Sequence, residues 1–344
     1  MNLSQWIGFI CLILALFILW QIRNLLLLVF TAVVLATALN RFVKWLQKKG
    51  LHRNIALFCG ISSIVVFLML FIWLIVPPFS EQFQKLIEEL PRVWAKIDLE
   101  IAILQNKLPD YVPPLPNRKD LLSQLPPIQE LIGNFVGIFS DSVTVVLQLL
   151  LIFVLTIMML VSPQRYRGGL LSLFPSFYRR RADYILSQSE AALGNWLRGI
   201  LINCLFIGIA SGLGLAVLQI RLVLVHALLA GLLNFIPNIG PATSVVFPLS
   251  IAVLEAPWKI VAVLIWYFII QNVETYWLSP IVMARQVSLL PAVTLTAQIF
   301  FARTFGIMGL LLALPLTVVA KTWIEEALFK DILDRWEHKK EHKK

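Results

Sequence analysis

Long apolar runs, broken by short polar stretches, set the pattern of this chain. Trp6 to Trp20 and Leu25 to Leu39 are apolar, with Arg23 and Asn24 between them. A membrane span needs about 20 residues, so each arm reaches that length only with flanking residues. The pair predicts a retained helical hairpin turning at Arg23-Asn24, not a cleaved signal. Ile55 to Val76 predicts a third span closed by Pro77-Pro78, and Val143 to Val161 a fourth. Asp183 to Leu197 reads as an amphipathic lead-in to a fifth span, Gly199 to Leu218. Its Gly208, Ala210, Ser211, Gly212, Gly214 and Ala216 suit close helix packing. Trp258 to Leu278 predicts a sixth span, ended by Ser279-Pro280.

Two apolar tracts are interrupted. Leu222 to Leu254 is broken by Asn234-Phe-Ile-Pro-Asn-Ile-Gly-Pro-Ala-Thr-Ser, and Leu289 to Ala320 by Arg303-Thr-Phe. Pro237 and Pro241 each remove an amide donor and disfavour helix in the preceding residue. One helix should stop near Phe235 and the next start near Pro241. The arms are about 14 (222–235), 13 (242–254), 13 (289–301) and 15 (306–320) residues, short of the minimum of about 17 for a span. Each pair therefore predicts a re-entrant hairpin, the first entering from outside and the second from inside; the alternatives are short full spans, with the first break a tight loop between two tilted helices at the membrane surface. Together with the fifth and sixth spans they form an inverted repeat, an arrangement found in secondary transporters. The first break should free carbonyls around Gly231 to Asn234 for a cation or hydroxyl, and amides at Ala242 to Ser244 for an anionic or carbonyl oxygen. Asn234, Pro237, Asn238, Gly240, Pro241, Thr243 and Ser244 are the candidate binding residues of this break.

Between the third and fourth spans the pattern changes. Phe79, Phe83, Leu86, Leu90, Val93, Ile97, Ile101, Leu104 and Leu108 recur in steps of three and four. That predicts an amphipathic helix, bent at Pro91. Pro109, Pro113, Pro114 and Pro116 then make a stiff turn, and Leu121 to Phe139 returns towards the membrane. The seam suits a neighbouring subunit, its own return arm, or a lipid surface.

Charge orients these elements. Asn40 to Asn54 holds Arg41, Lys44, Lys48, Lys49 and Arg53, and Ser162 to Arg181 holds five arginines, neither with an acid. Basic residues in short loops mark the cytoplasmic side, so the 79–142 segment is extracytoplasmic by alternation and both termini are cytoplasmic. The net charge of +10 thus reads as topology, not nucleic-acid binding. Hydrophobic residues are 59% and charged ones 14%, whereas soluble domains are about half apolar and a quarter charged. The fold class is an all-α polytopic membrane protein with about six full spans and two broken hairpins. It divides into 1–78, 79–142, 143–182, a transport core at 183–321 and a charged tail at 322–344.

Candidate chemistry is polar and sparse. Cys11, Cys59 and Cys204 lie in apolar tracts and suggest neither a disulfide framework nor a metal site. No nucleotide loop, zinc motif or nucleophile elbow is present, which points away from catalysis, metals and cofactors. The sixth span ends in Gln271-Asn272-Val273-Glu274-Thr275-Tyr276. A charge within a span faces a cavity or a partner, or snorkels. Glu274 is the candidate binding carboxylate, with Gln271 one turn earlier on its face and Arg303 as counter-charge. Lone His226 reads as a packing residue.

Asn234-Phe-Ile-Pro-Asn-Ile-Gly-Pro, Gln271-Asn-Val-Glu-Thr, Ser279-Pro-Ile-Val, Leu290-Pro and Gly306-Ile-Met-Gly with Pro315 together resemble the autoinducer-2 exporter family, also called PerM-like permeases. The likeness is strongest from about 183 to 328; the amino-terminal half matches in layout. Many relatives carry Ile-Glu-Gly-Asn where this chain has Val-Glu-Thr-Tyr. The resemblance implies an inner-membrane carrier that exports a small polar signal or metabolite as a homo-oligomer, gradient-driven or passive. Pro280, Gly306, Gly309 and Pro315 would be its structural hinges. The alternatives are a sodium/proton antiporter, drawing on Glu274 and the free carbonyls, and a non-transporting scaffold built on the 79–139 region.

Overall fold

The computed structural model describes residues 3–74, 76–107, 142–237, 239–283 and 290–333. Asn238, the proline-rich turn, the return arm 121–139 and residues 334–344 of the charged tail lie outside the described residues. The described secondary structure is helical: α1 (Leu3–Gln21), α2 (Arg23–Lys48), α3 (Arg53–Leu74), α4 (Val76–Lys107), α5 (Ser142–Val161), α6 (Pro163–Ser172), α7 (Arg179–Val217), α8 (Val223–Leu233), α9 (Ile239–Ser244), α10 (Val246–Glu255), α11 (Pro257–Val273), α12 (Ser279–Met283) and α13 (Pro291–Trp323). π-helical turns follow α11 at Glu274–Leu278 and α13 at Ile324–Leu333.

Six full spans were expected. Among the described residues four helical stretches are long and apolar enough, by length and composition alone, to cross a membrane: Arg23–Lys48, Arg179–Val217, Pro257–Val282 and Pro291–Leu333, the last of them broken at Gly306. A fifth counts if α5 and α6, bent by 92° at Ser162, form one span. The protein is thus an all-α, multi-pass membrane protein. The turn expected at Arg23-Asn24 does not form. The amide of Ile22 bonds to the carbonyl of Ile18 and that of Leu26 to Ile22, so helical bonding runs across the junction and Arg23 opens α2. Nor is 40–54 a loop throughout: α2 continues to Lys48 and the chain turns at Gly50, at φ +96. Good helix formers such as Leu46, Gln47 and Lys48 carry the basic stretch on as helix.

The chain forms two compact units: residues 1–62, 146–197 and 286–344, and residues 63–145 with 198–285. In the first unit Val43, Ala56 and Leu160 form a buried cluster. Arg41 donates to the Asn195 side chain and the Ala191 carbonyl, both at 3.0 Å. The amphipathic lead-in exists as the first part of α7, burying Ala182, Ile185, Ser189, Leu193 and Trp196 at helical spacing. α7 has 39 residues, roughly 58 Å at 1.5 Å per residue, twice the hydrocarbon thickness of about 30 Å.

α13 is not one straight rod. A Cβ on Gly309 would collide with the Phe301 carbonyl oxygen, and in a straight helix those residues would stand about 12 Å apart. The chain doubles back at Gly306, whose φ of 64° and ψ of −147° are non-helical. The second expected hairpin is therefore formed, but its reversal is Gly306 itself. Arg303 and Thr304 remain helical, the Thr304 hydroxyl donating to the Phe300 carbonyl at 2.7 Å.

The second unit is built on the first hairpin. Val225 and Leu229 of α8, Ile251 and Ala252 of α10, Leu86 of α4, Leu215 of α7 and Val263 of α11 share one core, with Phe79 and Phe83 packed against it. The first turns of the amphipathic seam thus cover the hairpin, a partner the periodicity did not name. α4 also satisfies the hairpin's helix ends. Gln82 Oε1 accepts from the Val225 amide at 3.2 Å, and Lys96 donates to the Leu254 carbonyl at 3.1 Å. These are the groups that a helix leaves unbonded at its two ends.

Candidate functional site

The hairpin closes at its mouth through an ion pair. Arg221, before α8, donates from its backbone amide and from Nε to Glu255 Oε1 at 3.2 and 3.0 Å. Arg221 also meets Glu89 of α4, and Lys259 meets Glu255. The first arm has 11 residues (Val223–Leu233), well short of a span, and the second has 17 (Ile239–Glu255), at the lower limit of about 17.

At the tip the break is tighter than proline spacing predicts. α9 begins at Ile239, two residues before Pro241, and the Gly240 amide bonds to the Ile236 carbonyl at 2.8 Å. A Cβ on Gly240 would collide with the Leu233 carbonyl, so glycine lets the second arm lie against the end of the first. Of the carbonyls expected to be open, Leu232 and Leu233 accept from the Phe235 and Ile236 amides, and neighbouring Ala230 accepts from Asn234. Thr243 donates to the Ile239 and Gly240 carbonyls and Ser244 to that of Pro241. Their hydroxyl protons stay within their own helix.

Of the predicted residues, Asn234, Gln271 and Glu274 come together. Glu274 opens the π-helical turn and is 7% exposed. Its Oε1 accepts from Asn203 Nδ2 at 3.1 Å and Asn234 Nδ2 at 3.2 Å, and its Oε2 from Gln271 Nε2 at 2.8 Å. Asn203 Nδ2 also donates to Ser279 Oγ at 3.0 Å. A buried carboxylate is tolerated only when hydrogen-bonded or paired, and bonds to a charged acceptor contribute about 1.5–3 kcal/mol each. The cluster therefore fastens the hairpin tip, α7 and the π-helical turn to one another. One helical turn away, Ile207, Ala230 and Ile270 pack as an apolar layer, which closes that side to water.

Asn272 is not part of the cluster: its Nδ2 bonds to the Phe268 carbonyl on the exposed face. Arg303 belongs to the other unit, as do Gly306, Gly309 and Pro315. Pro280 lies inside α12 rather than ending the span. The helix there has widened, the Ser279 amide bonding to the Glu274 carbonyl five residues back. Such bulges are a recognised way to carry irregularity through a helix. Asn203 and Ser279 were missed. The signal for Asn203 was a lone amide in the apolar fifth span, and polar residues inside spans mark partners or pathways.

The glycines of α7 set the packing. A Cβ on Gly208 would lie 3.3 Å from the Ala227 carbonyl, and one on Gly231 2.9 Å from that of Cys204. α7 buries Asn203, Ile207, Ser211 and Leu215 at steps of four, and exposes Leu201, Leu205, Ile209 and Leu213 at the same step. One stripe carries the site's amide and the other suits lipid.

Spanning helices, a closed hairpin and a polar cluster buried at its tip define a polytopic membrane transporter. The family profile described as AI-2E family transporter matches residues 9–329, and the chain belongs to that family, one of transporters and not of enzymes. It is 27% identical over 292 residues to the candidate transport protein YrrI of Bacillus subtilis strain 168, covering 81% of this chain and 79% of YrrI. It is 24% identical over 313 residues to the candidate permease PerM of Escherichia coli K12, covering 85% and 84%. Over 120 residues, 35% of each chain, it is 33% identical to the AI-2 transport protein TqsA of Escherichia coli K12.

Proposed function

We propose that this protein is a permease that moves a small hydrophilic solute, an autoinducer-2-like signal or metabolite, across the bacterial inner membrane, gradient-driven or passive. The observation that carries this reading is the Glu274 cluster: a carboxylate ringed by three carboxamides where a broken helix ends. Both hairpins would be re-entrant, with six full spans around them. α4 holds the mouth of the first hairpin through Gln82, Glu89 and Lys96, which supports entry from the extracytoplasmic side and cytoplasmic termini. Solute would pass at the tip, past Asn234, Pro237, Asn238 and Gly240, with Pro280, Gly306, Gly309 and Pro315 as hinges. A homo-oligomer remains part of the proposal from the family resemblance.

Solute counterflow in reconstituted vesicles tests it. Exchange of small polar solutes independent of sodium is expected, and an inserted protein with no flux would overturn the reading. The second reading, sodium/proton exchange, draws chiefly on the buried carboxylate, because two of the tip carbonyls, Leu232 and Leu233, are already bonded. Sodium-dependent proton movement without solute exchange would favour it.

A further inference from the structure

Asn203 holds an atom that the fold does not use. The residue is 2% exposed. Its Nδ2 is spent twice, on Glu274 Oε1 and Ser279 Oγ, while its Oδ1 is buried with no hydrogen-bond partner. Turning the amide over would set a carbonyl oxygen against the carboxylate oxygen, so Glu274 fixes which edge is which. A buried acceptor left unsatisfied costs about 1–3 kcal/mol, and such an orphan in a polar cluster calls for a missing partner.

We infer that Asn203 is a specificity-determining residue of the proposed solute site, its Oδ1 accepting a hydrogen bond from a hydroxyl of a neutral polyhydroxy solute. This deepens the transporter reading and rests on it. The donor inventory decides the ligand class. All the carboxamide N–H groups that face Glu274 are engaged with it. A carboxylate has about four lone-pair sites, and three are filled here. Asn234 Nδ2 and Gln271 Nε2 each keep a second N–H, but the cluster's buried side-chain atom left with no partner at all is an acceptor, Asn203 Oδ1, which selects a ligand that donates. A bare monovalent cation also seeks acceptors. It needs a shell of oxygens, however, and would meet three N–H groups with their positive ends turned towards the carboxylate. A hydroxyl needs one acceptor and brings no charge into the apolar layer of Ile207, Ala230 and Ile270.

The role of Glu274 follows from the same geometry. It holds the Asn203 amide in register, so it acts on the bound hydroxyl through Asn203. Ser279 supports the Nδ2 edge from α12 and leaves Oδ1 untouched.

The test is counterflow in phosphatidylethanolamine–phosphatidylglycerol vesicles, with erythritol, xylitol and their monodeoxy analogues as probes and ²²Na⁺ as the cation probe. Wild type should exchange a polyol and lose about five- to tenfold in apparent affinity when the hydroxyl that reaches Asn203 is removed. Asn203→Leu should lose a similar factor with the parent polyol and nothing further with that deoxy analogue. This non-additivity is one that a purely structural residue would not produce. If Asn203→Leu does not insert, the wild-type analogue series still decides, since equal exchange of every deoxy analogue overturns the inference. Wild-type exchange that Asn203→Leu leaves unchanged also overturns it, while the transporter reading stands. So does proton-driven ²²Na⁺ uptake with no polyol exchange, or exchange confined to a donor-free solute such as trimethylamine N-oxide. An inserted protein with no flux of any probe would defeat the transporter reading itself.

Discussion

The two hairpins of this protein reverse the chain by different chemistry. The first uses a stretch with two prolines and a glycine, takes several residues to turn, and ends beside a buried polar cluster. The second reverses at Gly306 alone, between helical arms, and its approach is set by Gly309 against the Phe301 carbonyl. Their outer ends differ as well. The first is held by Arg221, Glu255 and α4. The second runs into the π-helical segment 324–333, where Arg181 bonds to Glu326 at 2.8 Å and Asp331 at 3.0 Å and Tyr178 adds a bond to Asp331. A reversal rich in side-chain partners suits a binding site. A single-residue reversal suits a hinge. If so, lesions in the first hairpin should change affinity, and lesions in the second should change rate.

The largest effect is expected at Gly240. Any Cβ there meets backbone atoms of Leu233 and Asn234, which yield far less readily than a side-chain tip. Gly240→Leu should displace the tip, abolish exchange and destabilise the second unit by more than the usual 1–3 kcal/mol of an overpacked core. Gly240→Ala should fall between it and wild type. Flux together with thermal unfolding in detergent measures both, and unchanged exchange in Gly240→Leu would mean that solute does not pass the tip.

How far the sequence reveals this depends on what holds each feature. The Gly240 break was legible because proline and glycine restrict the backbone locally. Gln271 and Glu274 were legible because helical periodicity puts them on one face. Asn203 lies far away in sequence, on another helix, and only packing through Gly208 and Gly231 brings it to the carboxylate. The seam of α4 could be read as amphipathic, but its partner could not, because periodicity states that a face is buried and not against what. The turn assumed at Arg23-Asn24 failed because two polar residues in apolar surroundings do not by themselves reverse the chain, and helical bonding passes the junction at Ile22.

Next in size is Glu274→Gln. Glutamine offers one oxygen where the carboxylate offers two, so one set of carboxamide donors must face an NH2 group. A loss of about 1–3 kcal/mol in stability is expected. A passive solute carrier should keep exchanging, with altered affinity. A cation- or proton-coupled carrier should lose gradient-driven flux and keep exchange, and normal behaviour in both assays would make Glu274 structural only.

Gly306→Ala probes the other side of the comparison. The φ of 64° with ψ of −147° is a region that only glycine occupies readily, at about 1–3 kcal/mol for other residues. Space is not the obstacle, because nothing lies within 4 Å of a Cβ placed there. The variant should slow exchange while leaving the half-saturating solute concentration unchanged. A shift in affinity with no change in rate would place the second hairpin at the binding site and erase the contrast between the two.

The smallest effect is expected at Lys96, and it separates holding a hairpin from forming its site. Lys96 donates to the Leu254 carbonyl at 3.1 Å, at the end of α10. There an unbonded carbonyl and the negative end of the helix dipole both favour a cation. Lys96→Met keeps most of the aliphatic stem and removes only the charged donor. Because the group is half-buried and water can replace it, the loss should be about 1 kcal/mol, visible as a small fall in melting temperature. Exchange and affinity should match wild type, since Leu254 stands at the mouth and Asn203, Asn234 and Glu274 at the tip. A clear drop in flux from Lys96→Met would instead show that α4 takes part in the transport cycle, and that the mouth and tip of the first hairpin move together.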